Sequence, residues 1–287
     1  MTRILRLTAL IAAVAAAQES APTFRVGTQL VEAYASVFDK RGNPMPNLPR
    51  ERFRVLDGDR PQPLLAFEGV DQPLTCALVL DVTGSMADFL PALKASVLRF
   101  IDELPEGTAI AVYTFNTSLR VNQGFTTDRK IAKQSVARTA AGGATALFDS
   151  ISKVSRDLEQ RKGKKALVVF TDGDDNASAL SAESAAGRAR RAGIPLYVIA
   201  QGEALKRPKL IKTLEELASV TGGIPFRLVR PNKIGDVFAE INHNLQHTYL
   251  LAWKPPEGAP ATWRPIQISV AGAEGAVIRT RQGYWAE

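Results

Sequence analysis

The sequence predicts an α/β protein: a doubly wound, mostly parallel sheet carrying an accessory antiparallel β module formed from N- and C-terminal segments. Three observations predict it. From Leu74 to about Gln246, short apolar runs alternate with helical patterns, as βαβ units do. The first run, Leu74-Thr75-Cys76-Ala77-Leu78-Val79-Leu80, is continuous rather than alternating, which is the mark of a strand buried on both faces. On either side of that region the chain alternates in twos around Gly-, Pro- and Asp-containing turns and shows no helical period.

In chain order, Met1 to Arg6 carries two arginines, Leu7 to Val14 is mostly apolar, and Ala15-Ala16-Ala17 offers small residues for cleavage. This is the layout of a secretory signal peptide over 1–17, too short for a comfortable membrane span. No later stretch is long and apolar enough for a transmembrane helix, so no integral membrane segment is expected after cleavage. The expected destination is the periplasm, the cell surface or the medium. Residues 18–73 form an N-terminal β segment, with strands expected at Phe24–Val26, Leu30–Phe38, Phe53–Arg60 and Leu64–Phe67. It is too short to close a sandwich alone and needs partners elsewhere in the chain.

Residues 74–247 form the α/β domain. After the first strand, a helix is expected from Ala87 through Glu103, then strands at Ala109–Phe115, Ala166–Phe170, Pro195–Ala200 and Ile224–Leu228. Leu119–Val121 reads as a short extra strand at the sheet edge. Helices are expected over Arg129–Thr139, Leu147–Glu159, Ala182–Ala192, Lys209–Val220 and Ile234–Leu245. Residues 248–287 return to strands, at Tyr249–Trp253, Ile266–Val270 and Ala276–Thr280, and are expected to pair with the N-terminal segment, since domain ends often lie close together.

The chain has 287 residues, 45% of them hydrophobic and 23% charged, an ordinary globular composition with ample material for a core. The formal charge is +7, of which two positive charges belong to the predicted signal, leaving +5. No basic run or aromatic-basic interleaving accompanies this excess, so a nucleic-acid partner is not expected. Cys76 is the single cysteine and sits inside the first buried strand, so no internal disulfide forms.

Three loops offer oxygen ligands at strand ends or a helix start. They are Asp81-Val82-Thr83-Gly84-Ser85, Gly142-Gly143-Ala144-Thr145 and Thr171-Asp172-Gly173-Asp174-Asp175-Asn176. Open α/β sheets bind ligands at the carboxyl ends of their strands. Two carboxylates with several neutral hydroxyls suit a hard divalent ion and leave it electrophilic with one position open.

The series Asp81-x-Thr83-Gly84-Ser85-Met86, Thr145 in a Gly-Gly loop, and Thr171-Asp172-Gly173 resembles the metal-ion-dependent adhesion site of von Willebrand factor A domains. The order of elements over Leu74 to Leu245 is similar to that family's. Its usual first motif is Asp-x-Ser-x-Ser; Thr83 keeps the hydroxyl and adds a methyl. The resemblance implies a Rossmann-like fold and a bound Mg²⁺, with Mn²⁺ or Ca²⁺ as alternatives. It further implies that the hydroxyls of Thr83, Ser85 and Thr145 face the ion, and that Asp81 and Asp172 bind it directly or through water. A protein ligand presenting an acidic residue would then complete the shell. Asp39-Lys40-Arg41-Gly42, Phe53-Arg54-Val55 and Arg281-Gln282-Gly283-Tyr284 are similar to segments of secreted bacterial proteins related to that family.

Other motifs read as structure. Asp172 to Glu183 partly fits a calcium-binding EF-hand loop, but Ala177 stands where the turn needs glycine and a strand precedes it. His243 and His247 have zinc-ligand spacing, yet Asn244 occupies the place of a zincin's Glu. Ser150-Ile151-Ser152-Lys153 lies inside a helix and its companion motifs are absent. No nucleophile stands beside a base. The expected function is therefore a non-enzymatic, metal-dependent, adhesion-type binding module. The alternatives are a metal-dependent hydrolase or phosphatase, against which Thr83 tells by replacing the second Asp of haloacid-dehalogenase-like enzymes, and a structural envelope protein.

Overall fold

The computed structural model describes residues 30–69, 74–256 and 262–286. The expected signal peptide and the strand Phe24–Val26 lie outside the described residues. The chain opens with β1 (Val31–Phe38), β2 (Phe53–Asp57), β3 (Arg60–Gln62) and β4 (Ala66–Glu68). The central region runs β5 (Leu74–Asp81), α1 (Leu90–Glu103), β6 (Ala109–Phe115), β7 (Leu119–Thr126), α2 (Arg129–Ala137), α3 (Leu147–Glu159) and β8 (Lys164–Thr171). It continues with α4 (Ala182–Arg191), β9 (Leu196–Ala200), α5 (Glu203–Lys206), α6 (Pro208–Ser219), β10 (Pro225–Arg227) and α7 (Ile234–Gln246). β11 (Thr248–Trp253), β12 (Trp263–Val270), β13 (Val277–Arg279) and β14 (Gly283–Trp285) follow.

The central sheet has the order β10-β9-β8-β5-β6-β7, parallel throughout except for β7, which hairpins back on β6. From β5 the chain crosses to β6 on one side and later returns to β8 on the other. The carboxyl ends of β5 and β8 therefore part their following loops in opposite directions and leave a crevice between them.

Strand alternation sorts the core. Cys76, Leu78 and Leu80 of β5 face α1, α2 and α7, meeting Leu93, Val97, Phe100, Val136, Phe238 and Ile241. Ala77 and Val79 face α3, α4 and α6 through Ile151, Val154, Ala185, Ala189 and Leu214. Both faces of the sheet are covered, which is why β5 reads as an unbroken apolar run. Cys76 is fully buried, and burial pushes its thiol up to about 12, so it behaves as a small apolar side chain.

Several boundaries differ from expectation. The helix after β5 begins at Leu90, with Pro91 in its first turn, rather than at Ala87; a 3-10 turn over Gly84–Met86 comes first. The edge strand β7 runs eight residues, not three, because its polar side chains hide it from an apolar pattern. Leu64 and Leu65 precede β4 rather than belonging to it, and α5, β3 and β14 are short elements that periodicity does not show.

The two ends of the chain build two four-stranded antiparallel sheets, β13-β1-β11-β4 and β14-β12-β2-β3. In each, head strands pair with tail strands: β1 with β11, and β2 with β12. Their facing residues, among them Val31, Ala33, Phe53, Val55, Leu251, Trp253 and Ile266, form one core. At its centre the carboxylate of Asp57, fully buried, accepts hydrogen bonds from Trp253 Nε1 at 3.0 Å, Arg264 Nε at 2.5 Å and the Tyr284 hydroxyl.

This module meets the α/β domain at the amino ends of the parallel strands. The Tyr34 hydroxyl donates to the Gly163 carbonyl at 2.9 Å and accepts from the Lys165 N–H at 2.8 Å. Asn244 Oδ1 accepts from Ser36 Oγ and from the Tyr197 hydroxyl, at 3.2 and 2.9 Å. The contact is thus at the pole opposite the β5–β8 crevice.

Removing the Asp57 carboxylate strands a guanidinium, an indole and a phenol in a dry core. Asp57→Ala is expected to destabilise the protein by roughly 3–5 kcal/mol in urea unfolding, with Asp57→Asn costing less. A loss below about 1 kcal/mol for the alanine variant would show that this hub does not hold the module together.

Candidate metal centre

Asp81 is the last residue of β5 and its side chain is fully buried. Its two oxygens are held from two sides. Oδ1 accepts from the Thr83 N–H at 2.9 Å and the Thr83 hydroxyl at 2.6 Å. Oδ2 accepts from the hydroxyl of Thr171, the last residue of β8, at 2.7 Å. That bond spans the crevice where strand order reverses. The Val82 N–H donates to Phe115 O at 3.0 Å, and Val82 O accepts from the Gly142 N–H at 2.7 Å, so the first loop is fixed to β6 and to the second loop.

The second loop brings Thr145 to the same place, 7% exposed. Gly143 allows it: at φ +90° a Cβ would be strained, and it would press within about 3 Å of Thr117 and Asn116 on the β6–β7 turn. The third loop closes over the second. Asn176 Oδ1 accepts from Thr145 N–H at 2.9 Å, and Thr145 O accepts from the N–H groups of Asn176 and Ala177, each at 3.0 Å. Gly173 is required by crowding: a Cβ there would lie 2.4 Å from Thr171 Oγ1, 3.3 Å from the Thr145 methyl and 3.4 Å from Asp81 Oδ2. Gly173 of the third loop thus lies between Asp81 of the first and Thr145 of the second.

Ser85 stands exposed at the mouth, its hydroxyl 3.1 Å from that of Thr83 and hydrogen-bonded to the Asp172 carboxylate. Asp81, Thr83, Ser85 and Asp172 are therefore joined in one hydrogen-bonded chain, and Thr145, the fifth residue singled out from sequence, stands beside it at Gly173. Neither Ser85 nor Thr145 caps a helix. The start of α3 is capped instead from the third loop: Asp175 Oδ2 accepts from Phe148 N–H at 2.8 Å, and Ser178 Oγ from Asp149 N–H at 3.0 Å. In return Asp149 accepts from the N–H groups of Ala179 and Leu180. Sequence reasoning missed the roles of Thr171, Asp175, Asn176 and Ser178. Only the position of Thr171, one residue before Asp172 in the motif, hinted at one of them. Asp174 pairs with Arg207 at the rim, while Asp175 is engaged at the start of α3.

Burial dominates the electrostatics. It pushes the Asp81 carboxyl up from 3.8 to about 6, against the opposing pull of the Thr83 and Thr171 hydrogen bonds, and the nearby Asp172 charge pushes the same way. Burial likewise raises Asp172, opposed by its hydrogen bond from Ser85. Among the described residues neither carboxylate has a Lys or Arg partner, and no cluster of three or more His, Cys, Asp or Glu occurs. His243 and His247 pack with tilted rings, centroids 4.5 Å apart, near the end of α7 and away from this crevice. The five side chains form an all-oxygen, net-negative set.

The family model described as the von Willebrand factor type A domain matches residues 76–240, more than half of the chain. A search of curated proteins by sequence finds no match. Among solved structures, a von Willebrand factor type A protein from Catenulispora acidiphila aligns with TM-score 0.52 at 15% identity, covering 92% of this chain and 76% of that one. The corresponding domain of the type V pili tip protein Mfa5 from Porphyromonas gingivalis aligns with TM-score 0.51 at 12% identity, covering 59% of this chain and 94% of that one. Proximal thread matrix protein 1 from the mussel byssus aligns with TM-score 0.54 at 16% identity, covering 80% and 51%. At such identities the likeness is one of fold. With its loops, its doubly wound sheet and the matching family model, the chain belongs to the von Willebrand factor type A domain family.

Proposed function

We propose that this chain is an exported, non-enzymatic module that binds a divalent cation at Asp81, Thr83, Ser85, Thr145 and Asp172, and through it a protein partner. Mg²⁺ is the first candidate, with Mn²⁺ or Ca²⁺ as alternatives. The observation that carries the reading is the pair of buried carboxylates, both pushed toward protonation by burial and linked through the hydroxyls of Thr83 and Ser85. A hard cation relieves that cost and finds oxygen donors alone. The donor spacing fits: neighbouring oxygens around an octahedral Mg²⁺ stand about 3 Å apart, and the Thr83 and Ser85 hydroxyls are 3.1 Å apart.

Two protein carboxylates cancel the ion's charge without burying it in excess, and Ser85 lies at an open mouth. A third carboxylate, supplied by the partner, is the natural outer ligand. The ion's chemistry here is electrostatic: it attracts and orients that carboxylate. The absence of catalysis is supported by the placement of the two histidines, next to Asn244 and hence at the pole where the β module docks. Export is supported by the N-terminal pattern, and no helix among the described residues is long and apolar enough to cross a membrane. Mfa5 is named as a pilus tip protein, a setting in which a binding module is at home.

The partner is sought by pulldown from envelope or secreted extract. Capture in Mg²⁺ that is lost in EDTA supports the reading, and capture indifferent to EDTA contradicts it. For the ion itself, Mg²⁺ at a hundredfold excess over Kd is expected to add about 2.7 kcal/mol of stability. Asp81→Ala and Asp172→Ala should abolish that gain in thermal unfolding, and an unchanged gain in either variant would remove that residue from the site.

The raised Asp81 sets a pH dependence. Above pH about 6 the metal-free protein carries the cost of an ionised buried carboxylate, about 3 kcal/mol for a shift of about two pH units. That cost falls away as pH drops through about 6 toward 4. Chelated wild-type protein should therefore gain stability relative to Asp81→Asn between pH 7.5 and 5, while the Mg²⁺ increment shrinks over the same window. Parallel pH profiles for the two proteins would contradict this.

A further inference from the structure

A groove of about 520 Å³ adjoins the site, between the β6–β7 hairpin and α2. Val82 of the first loop and Asn116, whose carbonyl accepts from Ala146 N–H ahead of α3, stand at its inner end. Arg120 on β7 and Arg138 just past α2 line it with the carboxamides of Asn122 and Gln134. No Asp or Glu contributes to the lining, and among the described residues neither guanidinium has a carboxylate partner. Both arginines are exposed, and among the described residues neither has a carboxylate partner of the kind that Arg207 finds in Asp174 and Arg227 in Glu215. Unpaired guanidiniums facing a groove are ready-made receptors for carboxylates. Carboxamides offer both a donor and an acceptor, which suits the N–H and C=O groups of an extended backbone.

We infer that this groove is a second contact for the protein partner, receiving an extended acidic segment. One carboxylate of that segment sits at the metal position and another lies on Arg120 and Arg138. The inference rests on the metal reading for the first carboxylate, and on the groove alone for the second. Strand register gives the spacing. Asp81 is level with Phe115 on β6, and Phe115 with Leu119 on β7. Two strand spacings of about 4.8 Å put Arg120 about 10 Å from Asp81, a span of about three extended residues. The recognised sequence therefore carries two acids about three positions apart.

The test uses a fluorescein-labelled octaglutamate peptide, which offers this spacing in every register, read by fluorescence anisotropy at low salt with Mg²⁺ and with EDTA. Arg120→Glu/Arg138→Glu is compared with Lys153→Glu/Arg156→Glu, an equal charge change on exposed positions of α3, against the other face of the sheet. The groove variant should weaken binding at least tenfold in both conditions, and the α3 variant less than twofold. Equal losses in the two variants, or no binding of the peptide to wild type, would overturn the inference. A sulfated oligosaccharide of equal charge that binds the groove while octaglutamate does not would overturn it as well. The two readings separate in Asp81→Ala, which should lose the Mg²⁺ increment and keep the metal-free binding. If Mg²⁺ adds nothing in wild type while the groove variant still loses binding, the metal reading fails and the groove stands.

Discussion

A carboxylate buried at the end of the central strand is the constraint on which this structure turns. Asp81 sits where β5 and β8 send their loops apart, and its oxygens take hydrogen bonds from Thr83 and from Thr171 on the neighbouring strand. Those bonds are short, yet they do not offset the burial, which pushes the acid up to about 6. The remaining loops accept this arrangement rather than relieve it. Gly173 leaves out a side chain that would collide with Thr171, and Asn176 ties Thr145 into place. On the proposed reading, a cation supplies the neutralising charge that the side chains around Asp81 lack.

Rigidity on that side is matched by anchoring on the other. The β module is built from both ends of the chain, and it docks at the amino ends of the parallel strands through Tyr34, Ser36 and Asn244. Arg281, buried beside Glu32 and Tyr34, donates to the carbonyl of Arg190 at the end of α4 and adds a further tie. The carboxyl-end loops are thereby left uncovered by the module. Among the described residues, the β5–β8 crevice and the β module therefore occupy opposite poles of the α/β domain.

Much of this was legible in the amino-acid order because burial writes itself into apolar patterning. The unbroken run of β5 announced a strand covered on both faces, and the three oxygen-bearing loops followed from where such strands end. The pairing of head and tail strands was legible too, since neither end had enough strands to cover itself. What stayed hidden shares one cause: polar residues whose work is done by hydrogen bonds leave no periodic trace. The edge strand β7 is half-exposed on both faces, so only Leu119–Val121 of its eight residues shows in the apolar pattern. Asp175, one of several acids in the third loop, and Ser178, which stands in no motif, cap the start of α3 from another loop. Arg120 and Arg138 are far apart in sequence, and only the β6–β7 hairpin and α2 bring them to one groove.

Anomalous scattering from a crystal of the protein grown with Mn²⁺ would locate the ion directly. The account predicts a single strong peak in the β5–β8 crevice, within about 2.5 Å of the hydroxyl oxygens of Thr83 and Ser85. A well-ordered crystal with no peak there, or with its strongest peak elsewhere, would contradict it.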